Sequence, residues 1–233
     1  IHGGGSAALA AFYAVSPFEG IKSQLTTEPE YTVGCYSHKE LPLIGDILKT
    51  AKGETGVSFK AYNEAPSVSN REIADEIVLT KTELLMMDYN CSKLKSDLWY
   101  ATIEGLYTAE EDCKFEFSLG VYGAAKLYVD DKLLIDNETV QRKGTMFFNC
   151  GTAEEKGTIP VKKGQTYNVR VEFSSAPTSK LDPGSNTLFG SGAVRIGGAK
   201  VIDAEEEIKH AVQLAKDAEQ VIICAGLNVC LLR

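Results

Sequence analysis

The chain has 233 residues, 44% of them hydrophobic and 24% charged, which is a soluble globular composition with room for one large domain or two small ones. Its net charge of −8 opposes a phosphate backbone, and no apolar run approaches bilayer length, so nucleic-acid and membrane partners are not expected. Six cysteines occur, none in a CxxC pair and none at metal-ligand spacing from a histidine, so no zinc site is expected.

The chain opens on Ile1, runs into Gly3-Gly4-Gly5-Ser6, and stops at Arg233; both ends read as cuts through a larger domain. Residues 1–55 read as α/β. Ser16, Pro17 and Glu19 open a helix: Ser16 is the cap, Pro17 suits the first helical position and Glu19 sits at the positive end of the dipole. Residues 31–36 fit a short strand, and residues 38–49 read as a turn followed by a helix. Residues 56–190 change period. Phe115, Phe117, Leu119 and Val121 alternate with polar neighbours, as do Tyr167, Val169, Val171 and Phe173, which predicts strands with one buried face. Val57, Phe59 and Ala61 make a shorter stripe. Two apolar runs joined by Asp130-Asp131 predict a hairpin with a tight acidic turn. Several short strands with almost no helical pattern predict an antiparallel sandwich.

Residues 191–233 return to α/β. Asp203 caps a helix, with Glu206 three residues on in a capping-box-like pattern, and Ala204, Ile208, Ala211, Val212 and Ala215 share one face. The run Val221-Ile222-Ile223-Cys224-Ala225 reads as a buried strand of the parallel type, with Cys224 as a small core residue. The expected architecture is therefore mainly β: an antiparallel β-sandwich (56–190) inserted between the first (1–55) and resumed (191–233) parts of an α/β domain. The Gly-rich stretches near 53–56 and 190–198 read as its linkers.

Particular residues carry a resemblance. Gly3-Gly4-Gly5-Ser6-Ala7 followed by Ser16-Pro17-Phe18-Glu19-Gly20-Ile21 resembles the start of the second α/β domain of family 3 glycoside hydrolases, the β-glucosidases. Ala124-Ala125-Lys126-Leu127-Tyr128-Val129-Asp130, Gln141-Arg142, Phe147-Phe148 and Arg170-Val171-Glu172-Phe173 resemble the protective-antigen-type (PA14) domain. The whole is similar to fungal-type β-glucosidases with that sandwich inserted. The resemblance implies a retaining enzyme that removes terminal β-D-glucosyl residues from glucosides or cello-oligosaccharides, using two carboxyl groups about 5–5.5 Å apart. It also implies that the nucleophile lies in a barrel domain missing from the N-terminal side. The acid/base would follow residue 228, where this sequence instead runs into Val229-Cys230-Leu231-Leu232-Arg233. No catalytic residue is expected in this chain, and no cofactor.

For substrate contact the candidates are Phe147, Phe148 and Arg142. Aromatic faces stack on pyranose rings, but a phenylalanine is more often a core residue. On a strand, adjacent residues would point to opposite faces, one into the core and one toward a pocket. Arg142 could bond sugar hydroxyls or pair with a surface glutamate, the commoner fate. Asp130 and Asp131 are the metal candidates, since calcium favours clustered carboxylates, yet a polar turn uses the same residues. A free-standing calcium-dependent sugar-binding or adhesion module is the alternative function. The single tryptophan, Trp99, is expected in the core. Cys91, Cys113 and Cys150 lie in polar or turn-like segments where pairing is open. Two sequons, Asn90-Cys91-Ser92 and Asn137-Glu138-Thr139, have meaning only in a secreted chain, and chance matches are the other reading. Secretion is favoured over a cytoplasmic location.

Overall fold

The computed structural model describes residues 13–36, 38–181 and 191–225. The Gly3-Gly4-Gly5-Ser6 stretch and the segment after residue 225 lie outside them. The chain divides into two compact units, one formed by residues up to Glu40 together with those from Ile202, the other by Leu41–Val201.

The larger unit is the sandwich. Its strands are β1 (Leu48–Lys49), β2 (Val57–Tyr62), β3 (Ile73–Leu79), β4 (Glu83–Leu85), β5 (Tyr100–Thr108), β6 (Cys113–Tyr122), β7 (Ala124–Val129), β8 (Lys132–Asn137), β9 (Glu155–Val161), β10 (Thr166–Ser174) and β11 (Ala193–Lys200). One sheet runs β3-β2-β5-β10-β7-β8, with β1 also on β5; the other runs β4-β11-β6-β9. Every pairing is antiparallel. The predicted alternation is what fills the space between them. Phe115, Phe117, Leu119 and Val121 from β6 meet Tyr167, Val169, Val171 and Phe173 from β10 in one core, with Ile103, Leu127, Val194 and Ile196. Trp99 belongs to this core at 2% exposure, its ring 5.6 Å from that of Phe173 and 5.2 Å from that of Tyr89. Burying each such side chain contributes about 1.5–3 kcal/mol, so the alternation alone accounts for the pairing of the sheets.

The chain crosses from one sheet to the other through a single residue between β6 and β7. Gly123 makes that corner with φ 124°, and a Cβ there would lie 2.3 Å from the Ser174 carbonyl oxygen. The β7–β8 hairpin turns on Asp130 and Asp131, both at positive φ (48° and 61°), as the acidic-turn reading requires. Pro160 lies in β9, at the sheet's edge, where a missing N–H is tolerated.

The sandwich extends beyond the limits read from sequence. Strand β11 was expected among the linker and α/β residues; instead it hydrogen-bonds to both β4 and β6. Its glycines are there because neighbours press on the backbone. A Cβ on Gly197 would meet the Leu41 carbonyl oxygen at 2.9 Å, and one on Gly198 would meet Phe115 at 2.6 Å. At the other end, no helix forms within residues 38–49. Pro42 and Gly45 interrupt it. Ile44 and Leu48 are drawn singly into the core, and the Ile44 N–H is taken by the Thr82 hydroxyl at 3.1 Å.

Entry and exit of this unit meet. Leu43 bridges Gly197, and the Gly198 N–H donates to the Pro42 carbonyl at 2.9 Å. The joint is closed by ions. The Glu154 carboxylate accepts the Leu41 N–H (3.0 Å), the Ser118 hydroxyl (2.6 Å) and Arg195 Nη1 (3.2 Å), while Arg195 Nη2 donates to the Leu41 carbonyl (2.7 Å).

The smaller unit contains helix α1 (Pro17–Lys22) and helix α3 (Ala204–Asp217). Ser16 caps α1 as predicted: its hydroxyl accepts the Glu19 N–H and the Glu19 carboxylate accepts the Ser16 N–H, a complete capping box. Glu19's carboxyl is held below the usual range, first by the Ser16 N–H and then by the Ser16 hydroxyl. Asp203 caps α3 by accepting from the Glu205 and Glu206 N–H groups, while the Glu206 carboxylate goes to Lys209 instead of back to the cap. The Thr32 hydroxyl reaches the Glu207 carboxylate at 3.5 Å, so residues on both sides of the sandwich in the chain contribute to this unit. Neither expected strand of this unit, 31–36 or 221–225, is a strand in the structure. Val221, Ile222, Ile223 and Cys224 are exposed rather than buried, because no described strand pairs with them. A lone apolar segment without a neighbour for its backbone has no reason to be a strand.

Candidate functional site

Between β8 and β9 the chain makes a long excursion, and two of the three predicted contact residues lie on its exposed surface. Its base is held from several sides. The Asp136 carboxylate accepts the Glu138 and Thr139 N–H groups and the Thr139 hydroxyl. Gln141 donates its amide to the Gly123 and Asn137 carbonyls and accepts the Lys180 N–H. The excursion then closes on itself like a narrow ribbon. Ala153 N–H donates to the Arg142 carbonyl, Lys143 bridges Thr152, and Gly144 N–H donates to the Gly151 carbonyl. A Cβ at Gly144 would lie 2.3 Å from the Thr152 carbonyl oxygen, so only glycine lets the two sides approach.

The tip is the short turn α2 (Met146–Asn149), and its backbone is unusual. Phe147, Phe148 and Asn149 follow one another at positive φ (50°, 56° and 66°). For side chains other than glycine such a conformation costs on the order of 1–2 kcal/mol each, so neighbours must enforce it. They do so from one side. Met146, Phe147 and Cys150 pack with Ala193 and Tyr122 in a small second core, and Met146 fills the space that a Cβ on Gly120 would occupy. Burial pushes the Tyr122 phenol up, with the Cys150 thiol adding to it. Phe147 is 7% exposed and Phe148 76%. The two rings therefore part ways through a left-handed turn, not through the alternation of a strand.

Arg142, at the ribbon's base, is exposed and makes a two-pronged ion pair with Glu155, Nε at 2.8 Å and Nη2 at 3.0 Å. Its guanidinium is thereby oriented and its pKa raised. The Asp130-Asp131 turn is at the other end of β8, about 20 Å away at strand rise. Asp130 accepts the Asn168 N–H at 2.8 Å and Asp131 pairs with Arg170 at 2.9 Å, so both carboxylates are engaged in turn and sheet bonds. Among the described residues no group of three or more His, Cys, Asp or Glu is placed to hold a metal. Cys35, Cys91, Cys113, Cys150 and Cys224 are free thiols.

Sequence reasoning did not single out the face of the larger sheet. Thr102 on β5 and Glu172 on β10 share one row, and Arg71 lies over them, bonding both while its guanidinium stacks 4.0 Å above the Tyr62 ring. Arg170 stacks 4.6 Å over Tyr128 and pairs with Glu172 and Asp131. The alternation in residues 167–173 placed Arg170 and Glu172 outward, but their pairing with residues of distant strands is visible only in the register.

Two antiparallel sheets packed face to face, with an aromatic lifted on a loop between edge-ward strands, define the class as a β-sandwich module. Residues 53–188 match the PA14 domain, and the chain belongs to the PA14 domain family. Over nearly its whole length it is similar to named fungal proteins. It is 48% identical over 226 residues to the probable beta-glucosidase I of Aspergillus oryzae and to that of Aspergillus flavus, which covers 97% of this chain and 27% of each relative. The chain thus spans about a quarter of the length of these relatives. The crystal structure of a beta-glucosidase from Kluyveromyces marxianus superposes with a TM-score of 0.78 at 33% identity, covering 92% of this chain and 26% of that one; its complex with glucose gives 0.76 at 35%. The resemblance read from sequence, to fungal β-glucosidases carrying a PA14 domain, holds.

Proposed function

We propose that this chain is the part of a retaining family 3 β-glucosidase in which a PA14 sandwich interrupts an α/β domain, and that the sandwich shapes the pocket through the β8–β9 excursion. The reading is supported by the identity to fungal β-glucosidases along 97% of the chain. The single observation that carries the site is Phe148, 76% exposed at the tip of a strained turn whose Met146 and Phe147 are buried. An aromatic ring presented at the surface is suited to stack on the apolar face of a sugar. Phe147 serves as the anchor. Arg142 with Glu155 offers an oriented set of donors and acceptors to sugar hydroxyls. Sequence domain limits of 1–55, 56–190 and 191–233 are replaced in this proposal by a sandwich of Leu41–Val201. The substrates proposed are β-glucosides and short cello-oligosaccharides, cleaved with the barrel domain that carries the nucleophile. The expected result for this chain by itself is no release of 4-nitrophenol from an aryl β-glucoside.

The test is Phe148→Ala in the full-length enzyme. A stacking contact of about 1 kcal/mol corresponds to roughly a five-fold fall in kcat/KM for the oligosaccharides it touches, with the aryl glucoside less affected. An unchanged preference among oligosaccharides would mean that the excursion is structural only. The calcium-dependent adhesion reading requires Asp130 and Asp131 to exchange their Asn168 and Arg170 partners for an ion. Calcium titration of the chain is expected to give no binding heat, and micromolar binding lost in Asp131→Ala would reverse the order of the two readings.

A further inference from the structure

Two Asn-X-Ser/Thr sequons stand in this chain, and their surroundings are opposite. Asn137 ends β8 at 0% exposure. Both protons of its side-chain amide are used, one given to the Leu119 carbonyl and one to the Thr152 hydroxyl, each at 2.9 Å. The hydroxyl that completes the sequon, on Thr139, is bound to the Asp136 carboxylate at 2.7 Å. Asn90 lies in the irregular segment between β4 and β5, where Asn90 and Ser92 are both exposed. Cys91 between them is turned inward, its Sγ 3.7 Å from the Ala74 carbonyl, so the two groups of the sequon face water while the middle residue fastens the loop.

We infer that Asn90 is the acceptor of an N-linked glycan in this chain and that Asn137 carries none in the folded protein. In the transfer, the Asn90 amide nitrogen bonds to the anomeric carbon of a lipid-diphosphate-linked oligosaccharide. The bond from that carbon to the diphosphate oxygen breaks, the lipid diphosphate leaves with the electron pair, and the nitrogen gives up one proton. At Asn90 this replaces a proton that points to solvent. At Asn137 it would remove a bond to Leu119 or Thr152 and force a hydrated sugar into a packed interior, leaving buried polar groups without partners. A chain modified there does not close β8 onto the sandwich.

The experiment passes the protein containing this chain through the secretory pathway of a yeast host. The folded secreted protein is then treated with peptide-N-glycosidase in ¹⁸O-water, and the peptides are weighed. The expected result is the ¹⁸O-aspartate mark on the Asn90 peptide and none on the Asn137 peptide. Asn90→Gln and Ser92→Ala each remove one glycan step on a gel, and Thr139→Ala removes none. Ser92→Ala keeps the asparagine, so it reads the sequon even if the glutamine disturbs the loop. An unmarked Asn90, or a marked Asn137 in folded protein, overturns the inference.

Discussion

Replacing Glu154 by alanine tests the claim that the sandwich is closed at its entry by a buried ion pair. The side chains of Glu154 and Arg195 are 8% and 7% exposed and 3.2 Å apart. Removing the carboxylate strands a buried guanidinium and leaves the Leu41 N–H and the Ser118 hydroxyl without an acceptor. Breaking a buried pair from one side costs about 3–5 kcal/mol. Glu83 lies 3.9 Å from Arg195 and takes up part of the charge, which places the expected loss near the lower end, about 3 kcal/mol. In a domain of this size that corresponds to a fall in Tm of about 6–12 °C. Trp99, the only tryptophan, sits in the core of the same unit, so its fluorescence during urea unfolding reads the sandwich directly. Arg195→Met and the double variant complete the cycle, and the double should cost less than the sum of the singles. A loss under about 1 kcal/mol for Glu154→Ala, the value of an exposed pair, would refute the buried clamp.

Gly120→Ala places a methyl 2.2 Å from the Met146 sulfur, so thermal melting should register a loss of about 1–3 kcal/mol, and the oligosaccharide preference should drift toward that of Phe148→Ala as the turn loses its seat. Burial raises the Asp136 carboxyl, but the Thr139 hydroxyl, the Thr139 and Glu138 N–H groups and Lys126 outweigh it and hold the pKa low. A depressed carboxylate contributes stability above its unfolded value, near 3.8, and loses it as pH falls through the lower folded one. Melting followed from pH 7 to below pH 3 should therefore show a steeper acid decline in the parent than in Asp136→Asn, and parallel curves would count against the argument. Asp203→Ala removes the acceptor of two N–H groups at the start of α3 and should lower helical circular dichroism on heating, with a cost of about 1 kcal/mol.

What could be read from the sequence was whatever depends on near neighbours. The alternation in β6 and β10, the acidic turn of β7–β8 and the two helix caps are each settled within a few residues, and each stands in the structure. What depended on distant partners was misread. Gly197 and Gly198 suggest a linker until Leu41, Ile44 and Phe115 are known to lie against them. The run at 221–225 has the composition of a buried strand, but burial is a property of a neighbour. Within the candidate site, Phe147 and Phe148 were legible as residues and not as geometry. The separation of their rings comes from three successive left-handed residues held by Met146 in the notch of Gly120, which no local propensity foretells.

The bridge between Leu43 and Gly197 has a consequence for how such a protein can be assembled. Antiparallel partners are separated by only about 5 Å, so the polypeptide leaves the sandwich where it came in. A module with that property can be spliced into a surface loop of another protein while asking the loop to part by scarcely more than one residue's reach. Its gain or loss need not stretch the recipient, and a short bridge across residues 42 to 198 should heal the cut.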